Sequence, residues 1–472
     1  MSMKTKFKNK KLTSLIVLCL MLHILLLSSC ANIIPPSGGA RDSLPPNLIS
    51  ALPKDSAINI SPKLITLTFD EFVSLQDINN NLIVSPTLKN LPIVDNKLRN
   101  ITVKFKDSLE ANTTYSLNFG NAIKDVNEGN ILKNFRYVFS TGNSIDDFSY
   151  KGKVFLAEKG TIDSTLVVIL HNNSSDTAIY KNRPRYYAKL NGKGNFEFNN
   201  LSGGYYSVYV LPNDFSKKYD DSTKLFAFRT EPILINGTNT EDTLYAFEAY
   251  KRKAASSSNN VAATPKNKTD IQLKYAINLE NGTQDLLSPL ELKFVKPLKT
   301  WDSAKIQFAD TNFIPVKGYK LTLDTSKTIL SFSYPWKEQT PFRIIIPKDA
   351  ITDTSGMGLA KSDTLKFATK KESDYGSIRL RFMNLDLKRN PVLQLVQSDK
   401  IVESIKLTST ELTRKLYRAG SYDLRILYDT NQNGIWDTGI FGKIKKQPEI
   451  VQLISKPLVV KGNWDNEVNI AL

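Results

Sequence analysis

The side chains best spaced for chemistry lie in YDTNQNGIWDTG, Tyr428–Gly439. Asp429, Asn431 and Asn433 occupy positions 1, 3 and 5 of a pattern like a calcium-binding EF-hand loop. Gly434 stands at 6 for the sharp turn, Ile435 can offer its backbone carbonyl, and Asp437 stands at 9. A hard cation needs several oxygens converging on a tight turn, and alternate residues of such a loop supply them. The bidentate glutamate of position 12 is missing, because Ile440 stands there, and no helical pattern flanks the loop. The competing reading is a glycine-containing hairpin whose Asp and Asn side chains bond their own backbone. Calcium is therefore expected to be weak, on the order of 10⁻⁴–10⁻³ M, and to rigidify rather than catalyse. No cofactor is required.

Other reactive chemistry is limited by count. The 472 residues hold two cysteines, Cys19 and Cys30, and two histidines, His23 and His171. Five lysines (Lys4, Lys6, Lys8, Lys10 and Lys11) precede a mostly apolar run, Leu12–Leu27. That run is shorter than the roughly 20 residues a membrane-crossing helix needs. A basic tip, a short apolar core and then small residues describe a secretory signal over 1–29. Its removal would leave Cys30 and His171 as the sole cysteine and histidine. A disulfide, a Cys–His pair, a thiolate zinc site and a multi-histidine metal site are then excluded. His171, in VVILHNNSS, is expected to be a strand-end imidazole rather than part of a triad.

The tetrad Leu27-Ser28-Ser29-Cys30 resembles the lipobox of bacterial lipoproteins, cleaved just before a cysteine whose thiol then receives lipid. This resemblance implies acyl chains (palmitate among them) on Cys30 and attachment to the outer membrane. Two or more chains anchor stably where one binds marginally. Ala31-Asn32 lacks an inner-membrane retention aspartate, and the face of the outer membrane is left open. The formal charge of +17 includes the five signal lysines. On an exported protein such a balance suits anionic lipopolysaccharide or acidic partners, or simply keeps lysine-rich strands soluble. No basic helix or nucleic-acid motif is present, so nucleic acid is not an expected partner.

The rest of the chain reads as β-structure. Residues 30–46 form a Pro/Gly tether, with Pro35-Pro36, Gly38-Gly39 and Pro45-Pro46. LITLTFDEF, NITVKFKDS, TYSLNFG and FRYVFST alternate apolar and polar residues with period two. No segment shows a helical stripe longer than about three turns. Short strands bounded by Pro, Asn, Asp and Gly predict a first sandwich, A1, over 47–144 and a second, B1, over 148–251. Residues 252–270, RKAASSSNNVAATPKNKTD, have linker composition. The halves repeat. At an offset of 228, Glu110, Ala122, Ile123, Asp125, Lys133, Phe139 and Thr141 match Glu338, Ala350, Ile351, Asp353, Lys361, Phe367 and Thr369. Gly204 and Tyr206 likewise match Gly420 and Tyr422. This predicts A2 over 271–371 and B2 over 374–472. The fold class is all-β, an elongated array of four sandwiches in A-B-A-B order. A cut in the linker is expected to release two folded halves.

The A copies resemble bacterial Ig-like domains of the surface-layer-protein type, through ALPKDSAINISP, ITLTFDEFV and the Ile-x-Asp loop with its glycine. The B copies resemble transthyretin-like or carboxypeptidase-regulatory-like sandwiches, through GNFEFNNLSGGYYSVYVL. As a whole the chain resembles the Ig-like-domain lipoproteins of the Bacteroidota, which implies an outer-membrane lipoprotein generally without assigned activity. The same resemblance draws attention to Asp-Ser/Thr followed by an aliphatic residue, Ala or Thr, at Asp42, Asp55, Asp107, Asp163, Asp176, Asp221, Asp242, Asp302 and Asp363. They are like O-glycosylation acceptors of that group, and they are also ordinary turn chemistry.

Three functions compete. A non-enzymatic, lipid-anchored rod would bind a protein partner such as an outer-membrane β-barrel or envelope complex. A surface lipoprotein that binds glycan would use exposed aromatics, with Trp301, Trp336, Trp436 and Trp464 as candidates against core packing. An enzyme could use only paired carboxylates, as in glycoside hydrolysis. Four domains of about 100 residues leave no dedicated catalytic scaffold, and the first reading is the one carried forward.

Overall fold

The computed structural model describes Val17 and residues 41–173, 175–237, 241–250 and 272–472. Cys19, Cys30, most of the tether and the 252–270 linker lie outside the described residues. Among the described residues no helix is long and apolar enough to cross a membrane.

Period-two alternation sets the layers of A1. In Leu64–Phe69, Ile65, Leu67 and Phe69 point inward and are fully buried, while Thr66 and Thr68 face outward. This strand lies in a four-stranded antiparallel sheet ordered Leu48–Leu52, Leu64–Phe69, Asn100–Lys104, Ile93–Lys97. The facing sheet is ordered Arg136–Ser140, Thr114–Asn118, Ile83–Ser85. Tyr115, Leu117, Phe119, Tyr137 and Phe139 fill the space between. A2 repeats this topology. One sheet is ordered Tyr275–Ile277, Leu290–Phe294, Ile329–Ser333, Lys320–Leu323. The other is ordered Thr283–Gln284, Asp363–Thr369, Pro341–Ile346, Gln307–Ala309.

Two of the residue pairs that recur at the offset of 228 hold corners, while Ile123, Phe139 and their counterparts lie in the cores. Asp125 is buried, and its carboxylate accepts the backbone N–H groups of Glu128, Gly129 and Asn130. Asp353 does the same for Ser355 and Met357. Thr141 Oγ1 accepts from the Thr113 N–H, as Thr369 Oγ1 does from that of Thr340. An unpaired buried N–H costs about as much as a lost hydrogen bond, which is reason enough to keep these side chains.

B1 and B2 also share one topology. In B1 the sheet Asn195–Leu201, Phe148–Leu156, Glu241–Ala246 packs on Tyr186–Lys189, Leu166–His171, Gly204–Pro212, Ala227–Phe228. In B2 the sheet Glu411–Arg418, Tyr375–Met383, Asp465–Ala471 packs on Lys400–Lys406, Pro391–Gln397, Gly420–Tyr428, Ile450–Val460. Each copy pairs its first and last strands in parallel. The matched tyrosines make the same bond: Tyr206 OH donates to the Ser202 carbonyl and Tyr422 OH to that of Arg418, four residues back in each case. Among the described residues from 41 onward, helix is confined to single turns such as Ile78–Asn81 and Ala178–Lys181.

Candidate functional site

The loop after Tyr428 gathers the side chains that the spacing singled out. Asp429 follows the Gly420–Tyr428 strand and is 2% exposed. Its carboxylate accepts the N–H groups of Asn433 (3.2 Å) and Gly434 (2.7 Å). Gly434 sits at φ +78°, a conformation glycine adopts without penalty. Asn433 Oδ1 accepts from the Ile435 N–H at 2.7 Å. Asn431 and Asn433 both turn their amide nitrogens to Asp437 Oδ2. Asp429, Asn431, Asn433 and Asp437 thus belong to one loop, as expected, but their polar atoms bond one another and the backbone. Among the described residues no group of three or more His, Cys, Asp or Glu side chains is arranged to hold a metal ion. Ile440, at the position where a cation loop would place its glutamate, pairs with Lys446 in an antiparallel bridge.

The residue that closes the loop is Glu449, which no local spacing announces. It is 4% exposed; Oε1 accepts from the Thr430 N–H (2.7 Å) and Oε2 from the Asp437 N–H (3.0 Å). Its own carbonyl accepts from Trp436 Nε1 at 2.7 Å. One carboxylate ties both ends of the turn, twelve and nineteen residues away along the chain. The only trace in the sequence is an acid standing directly before an apolar strand.

The closed loop is presented to B1. Phe441 enters an aromatic cluster there, with ring centroids 4.9 Å from Phe226, 5.0 Å from Phe228 and 5.8 Å from Tyr209. Gly439 lies flat on Phe247, where a Cβ would come within 2.5 Å of the ring. Thr438 Oγ1 donates to the Glu248 carbonyl, Gln447 Nε2 to that of Phe228, and the Val451 N–H to that of Ala157. Lys445 pairs with Asp176 at 2.7 Å. The reason lies in the Leu166–His171 strand, buried at every position. Leu166, Val168 and Leu170 face the sandwich core. Val167 and Ile169 face away from it, with Tyr209, Phe226 and Phe247, and need a second cover. The array is therefore not joined only end to end: B1 and B2 also pack face to loop. The expected separation of the halves after a cut is corrected accordingly.

B1 meets A1 through polar groups. Arg185 Nη1 donates to both carboxylate oxygens of Glu110 at 2.8 and 2.7 Å, and the Arg185 carbonyl accepts from the Thr87 N–H. A2 meets B2 in a similar way, through Arg418 and Asp285 at 3.0 Å. Burial pushes the Asp285 carboxyl up, but Arg418 and the Leu287 N–H outweigh it and hold the group below its usual range.

His171 ends its strand, as expected, 2% exposed and edge-on to Tyr209. Burial lowers its pKa to about 4. Trp336 packs in the A2 aromatic core and Trp436 lies at the B1–B2 junction, while Trp464 is exposed with Lys461 over its ring. The hydroxyl residue of every Asp-Ser/Thr triplet is exposed. In four of them (at Asp42, Asp163, Asp221 and Asp302) the aspartate caps the N–H two residues on, which is the turn chemistry expected.

Residues 42–141, which include most of A1, match the bacterial Ig-like domain family. The chain thus carries a bacterial Ig-like domain within an all-β array. No curated protein matches it. Among solved structures it is similar to the Bacillus anthracis TIE protein, with 12% identity over 93% of this chain and 76% of that one and a TM-score of 0.17. It is similar to BcpA, the major pilin subunit of Bacillus cereus, with 10% identity over 69% and 99% and a TM-score of 0.17. It is also similar to the S-layer protein SbsC, with 12% identity over 90% and 54% and a TM-score of 0.15.

Proposed function

We propose that this chain is a non-enzymatic outer-membrane lipoprotein, anchored through Cys30, whose sandwiches bind a protein partner of the cell envelope. The observation that carries this reading is where the polar residues go. Among the side chains that recur between copies, the polar Asp125, Asp353, Thr141 and Thr369 hold corners, and those of the 429–449 loop hold a domain junction. The chemistry visible in the sequence is spent on architecture. The anchor rests on the lipobox tetrad and the signal before it. The partner is a protein because two sheet edges, Leu48–Leu52 and Lys400–Lys406, offer exposed apolar side chains for strand addition, Ile49 and Leu52 on one and Ile401 and Val402 on the other. Fractionation tests the anchor. Cys30→Ala should leave an unacylated, full-length precursor that no longer follows the outer membrane, and cofractionation of that variant contradicts the reading. A pull-down from solubilised membranes should recover β-barrel or envelope proteins.

Calcium enters this proposal as an optional ligand of Asp429, Asn431, Asn433, Asp437 and the Ile435 carbonyl. At about 10 mM it should stabilise the protein by about 1.4 to 2.7 kcal/mol, the mass-action values for dissociation constants of about 10⁻³ and 10⁻⁴ M. Unfolding of B2 by a chelator would contradict this.

A further inference from the structure

A cleft of about 1030 Å³ opens between A1 and B1, away from the 429–449 loop. Its walls are the outward faces of two sheets. From A1, Ser116 and Asn118 project from a strand whose Tyr115, Leu117 and Phe119 fill the core. From B1, Asn195, Glu197 and Asn199 project from a strand whose Phe196 and Phe198 point inward. The Tyr186–Lys189 strand touches both walls.

Seven asparagines line this cleft; Asn118 ends one strand, Asn195 begins another, and Asn199 stands inside that second strand. Asparagine is depleted in strands, so Asn199, inside a strand and facing this cleft, runs against local preference. Such departures concentrate at functional sites. Some of the charges in the cleft are matched. Lys151 pairs with Glu241 at 3.0 Å. With its amide oriented to satisfy both neighbours, Asn199 accepts from Arg136 at 2.9 Å and donates to Glu197 at 3.3 Å. Asp242 is held by Arg229 and by the Tyr150 hydroxyl. The side chains of Ser85, Ser116, Asn134 and Asn195 make no hydrogen bond to another described residue.

Among the described residues, two of the cleft's cations have no carboxylate partner, Lys153 lying over the Phe155 ring and Lys189 donating to the Asn80 carbonyl, and most of the side chains on its walls are polar. The cleft offers rows of groups that both donate and accept. That is the complement of vicinal hydroxyls. We propose that the A1–B1 cleft binds a neutral, hydroxyl-rich oligosaccharide. Its volume stands at the upper end for small-molecule sites and accommodates several sugar rings. Recognition runs through amides and Arg136 rather than through the tryptophans, of which Trp336 and Trp436 are committed to packing. The site is independent of the Cys30 anchor, and failure of either test leaves the other standing.

Calorimetry on the full chain decides it, with cellohexaose, maltohexaose and chitohexaose as probes and hexagalacturonate as the charged comparison. At least one neutral hexasaccharide should bind at up to about 5 mM, several times a millimolar dissociation constant. The double substitution Arg136→Ala and Asn195→Ala removes two exposed or half-exposed side chains that no core uses. It should weaken binding about tenfold or more, with melting unchanged. Trp464→Ala should leave affinity as it was. The proposal falls if no neutral probe binds, if only hexagalacturonate binds, or if Trp464→Ala abolishes binding that the double variant retains.

Discussion

B1 meets its two neighbours through surfaces of opposite kinds. Towards A1 it presents Arg185, with Glu110 as partner and a polar cleft alongside. Towards B2 it presents the ring cluster of Tyr209, Phe226 and Phe228, with Phe441 inserted. Ion pairs at an accessible junction contribute at most about 1 kcal/mol. Removing a packed aromatic costs several times that. The difference makes B1 and B2 the firm body of the molecule, and leaves the A1 junction as the side where a ligand can be admitted.

The largest effect is expected at Phe441. Phe441→Ala should cost about 3 kcal/mol, the low end for such a truncation because the ring is only partly buried. Chemical denaturation should show B1 and B2 losing a shared transition. The next test is acid. His171 sits on the B1 face that holds Tyr209, and burial keeps its imidazole neutral with a pKa of about 4. The unfolded chain takes up this proton first, near pH 6.5. The His171 contribution to stability should therefore fall as pH drops from about 6.5 to 4, by about 3 kcal/mol in all, and level off below. Denaturation across that range should show the slope in the native protein, and His171→Leu should remove this component of it. A smaller loss is expected for Glu449→Ala, which orphans the N–H groups of Thr430 and Asp437: about 2 kcal/mol by thermal melting, with the loop's amides exchanging faster. Smallest is Arg185→Ala, below about 1 kcal/mol in denaturant titration, because Glu110 stays largely in water. A cost at Arg185 equal to that at Phe441 would erase the contrast between the junctions.

What could be read in the chain follows the same contrast. Period-two alternation placed Ile65, Leu67 and Phe69 in a core because each strand carries its own pattern of burial. The offset of 228 exposed Asp125 and Asp353 because a corner must satisfy the same backbone groups in either copy. Tyr206 and Tyr422 were legible for the same reason. Phe441 was not, since its partners lie more than 200 residues away and nothing local marks an aromatic as bound for another domain. Glu449 closes its turn from a distance that no motif spans. The Asn-lined cleft was hidden for a third reason: its walls come from two domains, and alternation shows that Asn118 and Asn195 face outward without showing that they face each other.

The central claim is that the 429–449 loop latches B2 onto B1. A protease site inserted between residues 252 and 270, cut in the folded protein and followed by size-exclusion chromatography, tests it most directly. The two fragments should co-elute as one complex, and should separate once Phe441 is replaced by alanine. Separation of the fragments with Phe441 in place would contradict the latch.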